Sequence, residues 1–127
     1  RNVLLKDFGP LDARSDRGIV NESFVALQML PRLSPNMELR FWRTKSGEEI
    51  DFILLKNRKP FLMEVKSRLA EPEIPRAFGK FIEHYPETIG GVVFSENLEA
   101  SRNMVGKTIR FAPLARLPAI LDEIIGQ

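Results

Sequence analysis

The sequence predicts an α/β domain: a mixed central sheet, made of a three-strand meander plus crossover strands, flanked by helices. Three observations carry this. Two apolar runs, residues 49–55 and 61–67, flank the polar segment Lys56-Asn57-Arg58-Lys59-Pro60, the pattern of a β-hairpin. Ile50, Phe52, Ile53, Leu54 and Leu55 are apolar on both strand parities, so that strand needs cover on both faces. An amphipathic helix then separates the hairpin from a further apolar run, Val92-Val93-Phe94-Ser95, which makes it a crossover.

Residues 1–17 hold few periodic apolar positions and are punctuated by Gly9-Pro10. They read as an irregular arm or linker from a preceding module, with residues 18–127 as a single domain. The chain starts at Arg1 rather than Met, as a fragment of a longer protein would. Gly18 to Leu30 predicts a helix, capped by Asp16 and stopped by Pro31. It carries two apolar stripes. One holds Ile19, Val20, Phe24, Leu27 and Pro31; the other holds Val25, Ala26 and Met29 together with Glu22. A carboxylate on an apolar stripe needs a partner or an escape to solvent.

Glu38 to Thr44 alternates as a strand, and Lys45-Ser46-Gly47-Glu48 turns it into the strand that carries Asp51. Beyond the hairpin, residues 70–73 form a loop. Ile74, Ala77, Phe78, Phe81, Ile82 and Tyr85 then fall at helical spacing between Pro75 and Pro86. Gly90-Gly91 breaks the chain before Val92. Glu96 to Gly106 reads as a polar loop, Lys107 to Phe111 as a strand, and a last helix opens at Pro113 or Pro118 and ends at Gly126.

Composition sets bounds on function. A chain of 127 residues with 43% apolar and 28% charged content is that of an ordinary globular domain. No apolar run approaches the roughly 20 residues needed to cross a bilayer, and no signal peptide is visible. The absence of cysteine excludes disulfides and thiolate metal ligands, and fits a cytoplasmic protein. One histidine and no cysteine leave most nucleophilic hydrolase schemes short of parts. His84 falls off the stripe of its helix and reads as a surface residue. No Gly-x-x-x-x-Gly-Lys-Ser/Thr run is present, so this segment has no nucleotide-binding P-loop.

The chemistry concentrates in the hairpin. Asp51, Glu64 and Lys66 sit where a buried strand normally carries Val or Ile. With the turn centred between Arg58 and Lys59, Asn57 pairs with Pro60, Ile53 faces Glu64 and Asp51 faces Lys66. All three polar residues then converge on one patch, and a one-residue slip would disperse them. Two carboxylates and an ammonium group in a half-buried place suit a divalent metal and a polarised water. They also suit a structural ion-pair cluster, since such networks too bring charges together. The spacing leaves both readings open, and Glu22 either joins this patch or pairs elsewhere. Between Arg40 and Arg68 lie eight basic residues and four acidic ones, a local charge of +4 in a chain of net +2. Such a segment can hold phosphates, as DNA contact requires, or be a solvated face. Arg43 and Lys45 flank the patch and are the first candidates for phosphate contacts.

An Asp opening an apolar strand, followed 13 residues later by Glu64-Val65-Lys66 and an amphipathic helix, resembles the PD-(D/E)XK nuclease pattern. More closely, Asn21-Glu22-Ser23-Phe24-Val25, the run from Phe41 to Phe52, and Glu64-Val65-Lys66-Ser67 together resemble the uncharacterised domain found C-terminal to AAA+ ATP-binding modules in bacterial and archaeal proteins. The likeness spans roughly residues 15–95. It implies a restriction-endonuclease-like fold and an N-terminal AAA+ ATPase module in the full chain. By resemblance, Asp51 and Glu64 are ligands of Mg²⁺ or Mn²⁺, Lys66 is the catalytic lysine and Glu22 an auxiliary ligand, in a DNA endonuclease. No Pro precedes Asp51, a departure from the pattern. The alternative is a non-catalytic DNA- or protein-interaction module on the same fold.

Overall fold

Six strands build one mixed sheet in the order β1-β2-β3-β4-β6-β5. The computed structural model describes residues 16–125, with side chains from Ser23 onward. Chain order is α1 (Asp16–Met29), a 3-10 turn (Leu30–Arg32), β1 (Met37–Arg43), β2 (Glu49–Lys56), β3 (Lys59–Val65), α2 (Arg76–His84), β4 (Gly90–Ser95), β5 (Ala100–Met104), β6 (Lys107–Pro113), a second 3-10 turn (Leu114–Arg116) and α3 (Leu117–Ile125). β1, β2 and β3 form the expected antiparallel meander. α2 crosses over so that β4 runs parallel to β3, and β6 in turn runs parallel to β4.

Both faces of the sheet are covered. On one, Val25, Ala26 and Met29 of α1 and Leu117, Ile120 and Leu121 of α3 pack on Phe52, Leu54, Met63 and Phe94. On the other, Ala77, Phe78, Phe81 and Ile82 of α2 pack on Ile53, Leu62, Val93 and Phe111. This explains the double parity of β2, since neighbouring residues face different helix layers. It also separates the two stripes of α1. The stripe of Val25, Ala26 and Met29 is buried, whereas Phe24 is 40% and Leu27 is 68% exposed. The side chain of Glu22, like those of Ile19 and Val20, lies outside the described residues, as do most of the expected arm and Gly126.

Three expectations are corrected. Asp16 and Arg17, assigned to the arm, already belong to α1. Residues 100–104, expected as loop, form edge strand β5, paired antiparallel to β6 across Val105-Gly106. Gly90 and Gly91 do not interrupt the chain but lie inside β4. β4 is central and closely approached there: a Cβ on Gly90 would stand 2.8 Å from the Thr108 carbonyl oxygen, and one on Gly91 3.0 Å from that of Leu62.

The hairpin register is corrected as well. Lys56 pairs with Lys59 and Phe52 with Met63, so the turn centres between Asn57 and Arg58, one residue earlier than expected. Both turn residues have positive φ, 52° and 69°. That is the geometry of a two-residue turn whose twist matches the strands. Moving the turn centre by one residue moves each cross-strand partner by two. Side-chain parity is therefore kept, and Asp51 stands across from Glu64 instead of Lys66.

Candidate functional site

The β2–β3 ladder ends at Phe52–Met63. Beyond it, carboxyl groups take over the main-chain amides. The Asp51 N–H donates to Glu64 Oε1 at 3.0 Å, and the Val65 N–H donates to Asp51 Oδ2 at 3.0 Å. Each acid thus holds the backbone of the other's strand. β2 also changes register against β1 at this point. Arg40 pairs with Ile53 but Trp42 with Ile50, so Phe41 alone opposes Asp51 and Phe52. The extra residue is a β-bulge, a device that redirects side chains at strand ends. Through it Ile50 joins Ile53 in the α2-side core.

Lys66 follows directly. Its N–H donates to the Phe94 carbonyl at 2.8 Å, and the Glu96 N–H donates to the Ser67 carbonyl at 3.0 Å, so the chain beyond β3 stays alongside β4. Asn97 clasps the next stretch, accepting from the Leu69 N–H and donating to its carbonyl. With its backbone held, Lys66 places Nζ 3.1 Å from Glu64 Oε2, while its side chain remains 45% exposed. The structure thus brings Asp51, Glu64 and Lys66 together, as the parity argument requires.

These three residues open into a cleft of about 400 Å³ between the β1–β2 turn and the start of α2, walled by Gly47, Glu48, Glu49, Val65, Pro75, Arg76 and Ala77. Glu64 lies at its inner wall, only 6% exposed. Burial, and then the nearby Asp51 carboxylate, raise the Glu64 pKa to about 7; Lys66 opposes the shift. Burial disfavours the charged form and a like charge does so again. Two hard carboxylates whose repulsion costs protonation energy form a donor set that a divalent cation relieves. Among the described residues no group of three or more His, Cys, Asp or Glu side chains clusters in a metal-sized space. Asp51 and Glu64 are the acids that meet at the hairpin mouth, with Glu48 and Glu49 on the cleft wall beside them.

Arg43 and Lys45 do not line that cleft. They border a second, shallow depression with Phe41, Trp42 and Thr44. Arg43 pairs with Glu49 at 3.0 Å and lies 5.9 Å over the Phe41 ring, and Lys45 is exposed at the turn. The basic segment is likewise divided. Arg40 pairs with Glu38, Lys66 with Glu64, and Lys56 donates to the Ile124 carbonyl at the end of α3. Lys56, Arg58 and Lys59 sit at the turn end of the hairpin, roughly 17 Å from Asp51 at strand rise. His84 is exposed, as expected.

Nothing in the sequence marks Glu48, Arg76 and Lys80 as a group. Thr44 fixes the Glu48 backbone: its N–H donates to the Glu48 carbonyl at 2.8 Å, and its hydroxyl accepts from the Glu48 N–H at 3.1 Å. The side chain then meets Lys80 Nζ at 2.8 Å and Arg76 Nε at 3.4 Å. Spacing does place Arg76 and Lys80 one turn apart on α2. Nothing local says which acid they meet.

Among the described residues no helix is long and apolar enough to cross a membrane, which says nothing of β-barrels. A comparison with curated proteins finds no match. Residues 17–117 match the family described as Domain of unknown function (DUF4143), a span that holds every residue of the cleft. The chain therefore belongs to that family.

Proposed function

We propose that this domain is a divalent-metal-dependent nuclease of the PD-(D/E)XK class, with a restriction-endonuclease-like fold, cutting phosphodiester bonds in DNA. The observation that carries the reading is the mouth of the β2–β3 hairpin. There Asp51 and Glu64 brace each other's strands and Lys66 stands 3.1 Å from Glu64, all open to one cleft. Asp51 and Glu64 would hold Mg²⁺ or Mn²⁺, with Glu22 as an auxiliary ligand. The bound ion supplies a water of lowered pKa and a counter-charge for the phosphate. Lys66 would orient the attacking water and offset developing negative charge. Hydrolysis forms a bond from water oxygen to phosphorus and breaks the bond from phosphorus to the departing strand. Arg43 and Lys45 would meet the DNA backbone outside the cleft. In the full protein the domain would work in the cytoplasm beside an N-terminal AAA+ ATPase module.

Calorimetric titration of Mg²⁺ into wild type and Asp51→Ala tests this, followed by cleavage of linear and branched DNA. The expected result is a metal isotherm lost in the variant and metal-dependent cutting by wild type only. A folded wild type that takes no metal would sink the reading.

A second reading keeps the fold and drops the chemistry. Its support is the outward stripe of α1, where Phe24 and Leu27 are exposed. On that reading the stripe docks the ATPase module, and the hairpin mouth is a structural ion-pair cluster.

A further inference from the structure

A second charged constellation, which the metal chemistry does not use, stands at the wall of the cleft, with Glu48 and Arg76 lining it and Lys80 behind them. Glu48 reaches from the β1–β2 turn to α2, where one carboxylate oxygen lies 2.8 Å from Lys80 Nζ and the other 3.4 Å from Arg76 Nε. Two oxygens of one anion, each on its own cation, is also how a phosphate sits on a basic pair. Arg76 is the first residue of α2, where helix-end N–H groups favour negative charge, and its side chain is 84% exposed. Arg76 and Glu48 share the cleft with Asp51 and Glu64. The Lys80 ammonium, bonded to Glu48, holds that carboxyl below its usual pKa, so the position favours an anion.

We infer that Arg76 and Lys80 form the contact for a DNA phosphate beside the Asp51–Glu64 pair, and that Glu48 occupies this place in the free protein and is displaced when DNA enters. The inference rests on the nuclease reading and adds to it a self-occupied phosphate site. It also shifts the principal phosphate contacts from Arg43 on β1 and Lys45 in the β1–β2 turn to α2. Glu48 acts as a competitor for the cations. Removing its charge therefore strengthens DNA binding, whereas removing the cations weakens it.

The test is fluorescence anisotropy of a short labelled DNA duplex with the 127-residue chain, with Ca²⁺ supplied for the carboxylates. Glu48→Gln is expected to tighten binding about fivefold, and the double variant Arg76→Gln/Lys80→Gln to weaken it about tenfold, with the salt slope shallower by about 1 to 2. Adding Glu48→Gln to the double variant should then change nothing, because the two effects share one contact. Unchanged affinity in the double variant overturns the inference. So does weaker binding in Glu48→Gln, the result expected if the trio only ties the turn to α2. DNA binding by none of the proteins overturns it too. A parallel Ca²⁺ titration, wild type against Asp51→Ala, separates the two ideas. An intact metal site with a double variant that binds DNA normally sinks only the phosphate contact. Absence of metal binding sinks the nuclease reading beneath it.

Discussion

The two ends of the β2–β3 hairpin are built on different principles. At the closed end, Lys56 and Lys59 pair across Asn57-Arg58, and main-chain hydrogen bonds continue as far as Phe52–Met63. Leu54 and Leu62 there are fully buried, on opposite faces. At the open end the ladder stops, and Asp51 and Glu64 hold the amides with side-chain oxygens. The closed end obtains its order from burial and turn geometry. The open end obtains it from two carboxyl groups that repel each other, one of them pushed up to pKa about 7. A fold stabilised by apolar layers can support such a site at a strand end, where the sheet stops covering it. A carboxyl perturbed in this way marks functional places, and ion-pair networks produce the same shift.

The largest test of the contrast is Phe52→Ala, one residue from Asp51. Phe52 is fully buried, so truncation should cost about 3–5 kcal/mol in urea unfolding. Asp51→Asn should cost much less; equal losses would erase the distinction between the ends.

Next comes Glu64→Gln. Glu64 titrates near 7 in the folded protein against a reference of 4.5, so the folded state binds more protons between those values. Stability is then fullest below about 4.5 and falls as pH rises through about 7, by on the order of 3 kcal/mol. The Gln variant cannot titrate and should lose this fall. Urea midpoints measured across the window decide it, and an unaltered pH profile would remove Glu64 as its source.

Metal affinity should follow the same proton with the opposite sign. Mg²⁺ must displace it, so binding should strengthen up to about tenfold per pH unit below about 7 and level off above. Titrations in buffers of differing ionisation enthalpy would register the released proton. Pairing that series with Glu64→Gln sharpens the assignment, since the variant should show neither the release nor the slope.

The smallest effect belongs to the closed end. Arg58 holds φ 69°, a conformation glycine adopts without penalty. Arg58→Gly should stabilise by about 1 kcal/mol, read as a raised Tm, and leave metal binding untouched. A change in metal affinity would show that the two ends are coupled.

The sequence by itself determined the meander, the α2 crossover and the meeting of Asp51, Glu64 and Lys66. The first two rest on local periodicity: 3.6 for Ala77, Phe78, Phe81 and Ile82, and apolar residues on both parities in β2. The third survived an error in register because a hairpin turn displaced by one residue moves partners by two and leaves each side chain on its face. Only tertiary structure decided the rest. α1 has two apolar stripes, and packing with α3 chose Val25, Ala26 and Met29 over Phe24 and Leu27. β5 is a strand although Ser101, Arg102 and Asn103 are poor strand formers, because β6 offers it a pairing edge. The division of the basic segment between the hairpin's two ends, and the meeting of Glu48 with Arg76 and Lys80, depend on contacts distant in the chain. A linear pattern records which face a residue takes within its own element. It does not record which element comes to lie opposite, because burial area and strand-edge pairing across the whole sheet settle that.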